Sequence, residues 1–175
     1  VEIRFVNTGF ETVVELGSIR SGSVKDPYVP SVFGVGVSGT KYQIGVNGVI
    51  TKEYILWQNM LKRCYSDVYK KKKPTYEGCK VSENFKSYEY FYEWCQEQTG
   101  FGNVDENGRS WQMDKDIICK GNKLYSEDTC VFVTSSVNMF LTDRTALRGK
   151  YMIGVYWQKE RNKFRATCKD GNGKA

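Results

Sequence analysis

In the stretch "MDKDIICKGNKLYSEDTCVFVTSSVNMF", residues 113–140, Asp114 and Asn138 bracket the segment in the manner of two metal ligands. Both offer a side-chain oxygen, the donor that magnesium and manganese prefer, with waters completing an octahedral shell. A hydrolytic site of this kind also needs a base to take a proton from water, and histidine is its usual carrier. The chain of 175 residues contains no histidine. Lys115 and Asp116 stand nearest in sequence. An ordinary lysine, with a pKa of ~10.4, is protonated at neutral pH and accepts nothing. Desolvation or neighbouring cations must lower it before it serves as a base, and a nearby Asp116 opposes that shift. Alternation along an extended strand would set Asp114 and Asp116 on one face, so that Asp116 becomes an extra ligand or a substitute base. Structural roles compete with these: Asp114 as a turn stabiliser, Asn138 on an exposed helix face.

The elements that must hold these residues are readable around them. Met113 to Cys119 is expected to be extended, with a turn at Lys120 to Lys123, a second strand from Thr129 to Val133 and a helix starting near Thr134 or Ser135. Upstream, Tyr54, Trp57, Met60, Leu61 and Cys64 recur at helical spacing behind Thr51 as N-cap, with Lys52, Glu53, Asn59, Lys62 and Arg63 on the other side. Four consecutive lysines, Lys70, Lys71, Lys72 and Lys73, then precede Pro74 as a solvated loop or a phosphate-contacting patch. A second helix follows, capped by Ser87, with Tyr88, Phe91, Tyr92 and Cys95 on one face and Gly100 as its stop. Residues 1–50 read as a small β module, with turn signals at Asn7-Thr8-Gly9, Ser21-Gly22, Pro27, Pro30 and Gly39 and a hairpin at Asn47-Gly48. Near the C-terminus, Tyr151 to Trp157 and Phe164 to Cys168 read as two strands about a turn. They carry Lys159, Arg161, Lys163 and Arg165, a set suited either to phosphate contact or to an ordinary polar face. The expected class is α+β, divided into an N-terminal β module (1–50), an α+β domain (51–141) and a C-terminal β segment (149–175).

Composition bounds the partners. A hydrophobic content of 40% and an aromatic content of 14% argue for a folded chain. The formal charge of +6 suits a polyanion without requiring one. The six cysteines form no CxxC pair and have no histidine to complete a mixed site, so zinc is not expected. Disulfides are permitted by the even count, but reduced thiols in a cytosolic protein are the expectation where no leader segment is read. No apolar run approaches the ~20 residues of a membrane helix, so no membrane partner is expected.

Three segments in order, "WQNMLKRCY", "YEGCKVSENFKSYEYFYEW" and "MDKDIICKGNKLYSEDTCVFVTSSVN", resemble the bacteriophage HNH homing-endonuclease family over residues 51–141. That family joins a W-x-x-M-x-x-R-C-Y helix, an aromatic helix and a ββα metal unit. "YMIGVYWQKERNKFRATC" resembles the opening strands of the apetala-two type DNA-binding domain, cut short of its later strand and helix. "GSVKDPYVPSVFGVG" resembles the lead segment of such phage proteins.

The resemblance implies a role for each matched position. Asp114 corresponds to the metal-binding aspartate and Asn138 to the second ligand, with Mg2+ or Mn2+ as the ion. Lys115 stands where the family has its general-base histidine, and Thr129 where it has the asparagine that orients that base. The implied protein binds duplex DNA, with weak or lost metal-dependent nuclease activity, in the cytoplasm of an infected bacterial host. A different expectation is a catalytically inactive interaction protein that binds a host defence or repair protein, using Tyr65, Tyr69 and Tyr76 beside the lysine run.

Overall fold

The computed structural model describes residues 1–141, 151–152 and 154–167. Its core is built where the helical periodicity is strongest, on α2 (Lys52–Tyr65) and α4 (Tyr88–Glu97), which pack against each other. Each starts on the expected cap. The Thr51 hydroxyl accepts from Tyr54 N–H and the Ser87 hydroxyl from Tyr90 N–H, both at 3.4 Å. Tyr54, Trp57, Met60, Leu61 and Cys64 of α2 meet Tyr88, Phe91, Trp94 and Cys95 of α4, together with Phe85, all buried. The rings interlock edge to face, as in Tyr54 with Tyr88 at 5.1 Å and Phe85 with Trp94 at 4.8 Å. The Trp57 indole donates to the Phe85 carbonyl at 2.8 Å, so its one donor is satisfied inside the core.

Two details of the helices differ from the sequence expectation. The chain after α2 enters a short helix, α3 (Asp67–Lys72), capped by the Ser66 hydroxyl. Three of the four lysines therefore occupy its last turn, where positive charge complements the helix dipole, and Lys73 is its C-cap. α4 ends at Glu97, ahead of Gly100. Gly100 is there for space: a Cβ would stand 2.5 Å from Phe132 and 2.6 Å from Trp111.

The first 50 residues hold less sheet than their composition suggests. β1 (Glu2–Arg4) pairs antiparallel with β2 (Glu11–Val13), and β3 (Gly45–Val46) with β4 (Val49–Ile50). Asn47 and Gly48 make the β3–β4 turn with φ of 51° and 78°, the double positive φ that an Asn-Gly hairpin supplies. Between these hairpins lies a five-residue helix, α1 (Leu16–Arg20), and then irregular chain. Val32, Val35 and Tyr42 of that chain pack on the helical core. Glu89 of α4 accepts from the amides of Thr40 and Lys41 at 2.8 and 2.7 Å, so the loop's backbone is satisfied by a side chain instead of a ladder.

After a turn of 3-10 helix at Pro74–Tyr76, β5 (Lys80–Val81) pairs in parallel with β7 (Leu124–Tyr125). β6 (Gln112–Asp114) pairs antiparallel with β8 (Val131–Val133), which leads into α5 (Ser135–Leu141). With every described sheet two-stranded and helices supplying the core, the class is α+β. No described helix is long and apolar enough to cross a membrane.

The chain divides into two compact units, Val1–Met139 and Phe140–Ala175. In the second, β9 (Val155–Gln158) pairs antiparallel with β10 (Lys163–Ala166), both shorter than expected. A turn of 3-10 helix, Lys159–Arg161, and Asn162 at φ 47° connect them. Trp157 and Phe164 face each other across the pair at 4.8 Å, and Cys168 lies outside the described residues.

Candidate functional site

β6 and β8 place Met113 opposite Phe132 and Asp114 opposite Val131. Both Met113 and Phe132 are buried, and this apolar pair fixes the register against the core. Strand alternation then turns Gln112 and Asp114 away from that core. The strand stops at Asp114 because its carboxylate accepts from the Asp116 amide at 2.6 Å, closing an Asx turn. Residues 115–119 are bends, which corrects the expected strand to Cys119. Strand alternation therefore does not put Asp116 beside Asp114; the turn does.

Lys115, in the position expected of the base, is only 6% exposed. Its ammonium donates to the Asp116 carboxylate and, at 2.6 Å, to the Asn122 carbonyl, and it lies 5.5 Å from the Tyr125 ring centre. A lysine spent in this way is a donor at the centre of the turn and has no lone pair to offer water. Asn122 completes the arrangement. Its amide nitrogen donates to the carbonyls of Lys115 and Leu124 at 2.9 and 2.6 Å, and its oxygen accepts from Leu124 N–H at 3.0 Å. The loop between β6 and β7 is thus tied by Asn122. Thr129 serves elsewhere: its hydroxyl donates to the Leu124 carbonyl at 2.8 Å and accepts from Ser126 N–H at 3.1 Å, closing the next turn.

α5 brings the second expected ligand. Thr134 accepts from Val137 N–H at 3.2 Å, and one turn in, the Asn138 amide donates to Gln112 Oε1 at 3.0 Å. Gln112 precedes Asp114 by one pleat period, about 6.6 Å along the strand. Asp114, Lys115, Asp116 and Asn138 all line one cleft of about 760 Å³. Its opposite wall is α2, through Lys52, Ile55, Leu56, Asn59 and Arg63. These form a second helical stripe, i, i+3, i+4, i+7 and i+11, of which Lys52, Asn59 and Arg63 were expected on the side away from the apolar face. The spacing was present, but polar members hid it behind the stronger apolar stripe.

Arg63 is half-buried in that wall, with its guanidinium 5.6 Å from the Tyr76 ring centre. Burial alone would lower its pKa, but Tyr125, through charge interaction and a side-chain hydrogen bond, and Tyr76 and Tyr69 outweigh it and hold it above the ordinary value. Burial pushes Tyr125 in turn well above the usual phenol range. Lys52 stands 4.8 Å from the Phe101 ring centre. Neither cation forms an ion pair among the described residues.

Asp114 and Asn138 carry side-chain oxygens of the type that a hard divalent ion such as magnesium takes, and both line one open cleft with room for waters. No group of three or more Cys, Asp or Glu side chains poised for a metal occurs among the described residues, so any such ion depends on a small protein ligand set.

The lysine run stands outside the lining of the cleft. Lys70, ion-paired to Asp67 at 3.3 Å, and Lys71, Lys72 and Lys73 do not line it. Lys159, Arg161, Lys163 and Arg165 belong to the second unit, where Lys163 and Arg165 share a face of the β9–β10 pair with Tyr156 and Gln158. Tyr65, Tyr69 and Tyr76, expected as an exposed aromatic patch, are half-buried. Tyr65 accepts from Val81 N–H at 3.2 Å, and Lys62 and Arg63 cover Tyr69 and Tyr76.

Compared with protein-family models, curated proteins and solved structures, the chain matches none.

Proposed function

We propose that this chain binds duplex DNA and presents to it an HNH-like ββα site whose metal-dependent nuclease activity is weak or lost. The observation that carries this reading is the delivery of Asp114, from the end of β6, and Asn138, from α5, into one cleft by an antiparallel strand pair and a following helix. A bound Mg2+ or Mn2+ would be held by these two residues and would supply charge stabilisation to a phosphodiester. The chain's own part is to hold Asp114 through the Asx turn, to hold Asn138 through Gln112, and to attract the polyanion with its net charge of +6. Loss of turnover follows from Lys115: with its ammonium given to Asp116 and the Asn122 carbonyl, nothing at that position takes a proton from water. The lysines of α3 and the basic residues of the β9–β10 hairpin, Lys159, Arg161, Lys163 and Arg165, are further phosphate contacts in this proposal.

The test pairs binding with cleavage. Affinity for a duplex should fall linearly in log Kd against log salt. Supercoiled plasmid with Mg2+ or Mn2+ should be nicked slowly or not at all, and any nicking should vanish in Asp114→Ala and Asn138→Ala. Salt-independent or absent binding removes the proposal; nicking unchanged in both variants assigns the cleavage to another site.

A further inference from the structure

The cleft has two chemically opposite walls, and the proposed function uses only one. On the ββα side stand the carboxylates of Asp114 and Asp116, the latter neutralised by Lys115. On the α2 side stand Lys52 and Arg63, two cations without a carboxylate partner among the described residues, with Asn59 between them. A half-buried guanidinium is costly to hold without an anion. Tyr125 and Tyr76 offer Arg63 a phenol oxygen and a ring face, which orient it but bring no countercharge at neutral pH. Lys52 is also out of place by helix electrostatics, because it sits in the first turn of α2, where the dipole favours anions. An incoming anion relieves both.

The spacing of the two cations suits a polymeric anion. Arg63 follows Lys52 by eleven residues, so the two lie about 16 Å apart along the helix axis. A single phosphate is small against that separation, whereas a nucleic-acid strand, advancing about 3.4 Å per nucleotide along the duplex axis, covers it in roughly five nucleotides. Asn59, exposed on the same stripe, adds a neutral donor between the charges.

We infer that the Lys52, Asn59 and Arg63 face of α2 is a phosphate-binding wall, along which the backbone of one DNA strand lies with a phosphodiester turned toward Asp114 and Asn138. The inference rests on the DNA-binding reading above and deepens it by naming where the strand runs. Arg63 grips phosphate in this arrangement, and its fork of donors suits two phosphate oxygens at once.

The test uses two neighbouring positions on one helix. Gln58 and Asn59 are both exposed, but only Asn59 lines the cleft. Asn59→Glu and Gln58→Glu change the net charge equally, so a general electrostatic effect weakens both alike. Binding of the full chain to a fluorescent duplex is measured by anisotropy over a salt series. The expected result is a loss of affinity of tenfold or more for Asn59→Glu, at most about twofold for Gln58→Glu, and a salt slope shallower by about one for Arg63→Gln. Circular dichroism and melting of each variant confirm that the fold is kept, and Asn59→Glu carries the test if Arg63→Gln unfolds. Equal losses in Asn59→Glu and Gln58→Glu, or no loss in either, overturn the inference and leave DNA binding standing on another surface. Failure of the unmodified chain to bind overturns both.

Discussion

At the scale of residues, the decisive group is Lys115. In sequence it stands where the HNH resemblance implies a base; in the fold it is a buried structural cation whose ammonium joins the Asp116 carboxylate to the Asn122 carbonyl. Asn122 is its counterpart, and nothing in the pattern "KGN" announced more than a turn. Asn122→Ala removes hydrogen bonds to Lys115 and Leu124 together. It should cost about 3 kcal/mol in a urea titration, since three bonds are lost and each net bond contributes about 1 kcal/mol. The thiols make a second residue-scale prediction. Burial pushes Cys64 and Cys130 up to about 12, whereas an unfolded thiol titrates near ~8.5. Between these values the unfolded chain has lost protons that the native chain keeps, so stability is full below pH ~8.5 and falls as pH rises toward 12. Melting temperature should decline over that window, and Cys64→Ala should flatten the decline. At pH 8 the exposed Cys119 should react with a thiol reagent long before Cys64, Cys79, Cys95 or Cys130, all buried. Mass spectrometry of the labelled peptides checks the order.

At the scale of elements, Glu127 joins segments far apart in sequence. Its carboxylate accepts from the Ser82 hydroxyl at 3.0 Å, from the Asn84 amide and from the Tyr90 hydroxyl, linking the turn after β7 to the chain after β5 and to α4. Burial pulls its pKa upward, but its own backbone amide and these three donors prevail and hold it below the ordinary carboxylate value. A depressed folded pKa gives stability that is present above the unfolded pKa of ~4.3 and lost as pH falls through the folded one. Glu127→Gln should therefore be less stable than the unmodified chain at pH 7, with the difference shrinking on acidification below pH 4; urea titrations at both pH values measure it. The helix caps belong to the same scale. Thr51→Ala and Ser87→Ala should each cost about 1 kcal/mol, measured by chemical denaturation. These caps were legible because a hydroxyl before an amphipathic run is a local signal. α3 was not, since the lysine run that names it looks equally like solvated loop, and its cap, Ser66, serves both to end α2 and to start α3.

At the scale of the whole molecule, the buried apolar residues among those described form one cluster from Tyr54 to Phe132, within the first unit and centred on α2 and α4. Phe85, fully buried and in contact with Phe91 and Trp94, is its keystone. Phe85→Ala should destabilise the chain by about 3–5 kcal/mol, readable as a lowered urea midpoint. Gly36 shows how closely the N-terminal chain approaches this core: a Cβ there would stand 2.5 Å from Leu61 and 2.9 Å from Trp57. The sequence by itself determined the α+β class, the two amphipathic helices with their caps, the Asn-Gly hairpin and the order of strand, strand and helix around Asp114 and Asn138, because each is set by spacing or by a residue's own backbone preference. Only the tertiary structure decided that residues 21–44 pack as irregular chain, that β6 stops at an Asx turn and that Lys115 is consumed by Asp116 and Asn122. It also decided that Arg63, on the polar side of α2, faces the same cleft as Asp114. Those outcomes depend on which groups meet across long separations, and a linear pattern carries no term for the partner that a buried amide or charge will find.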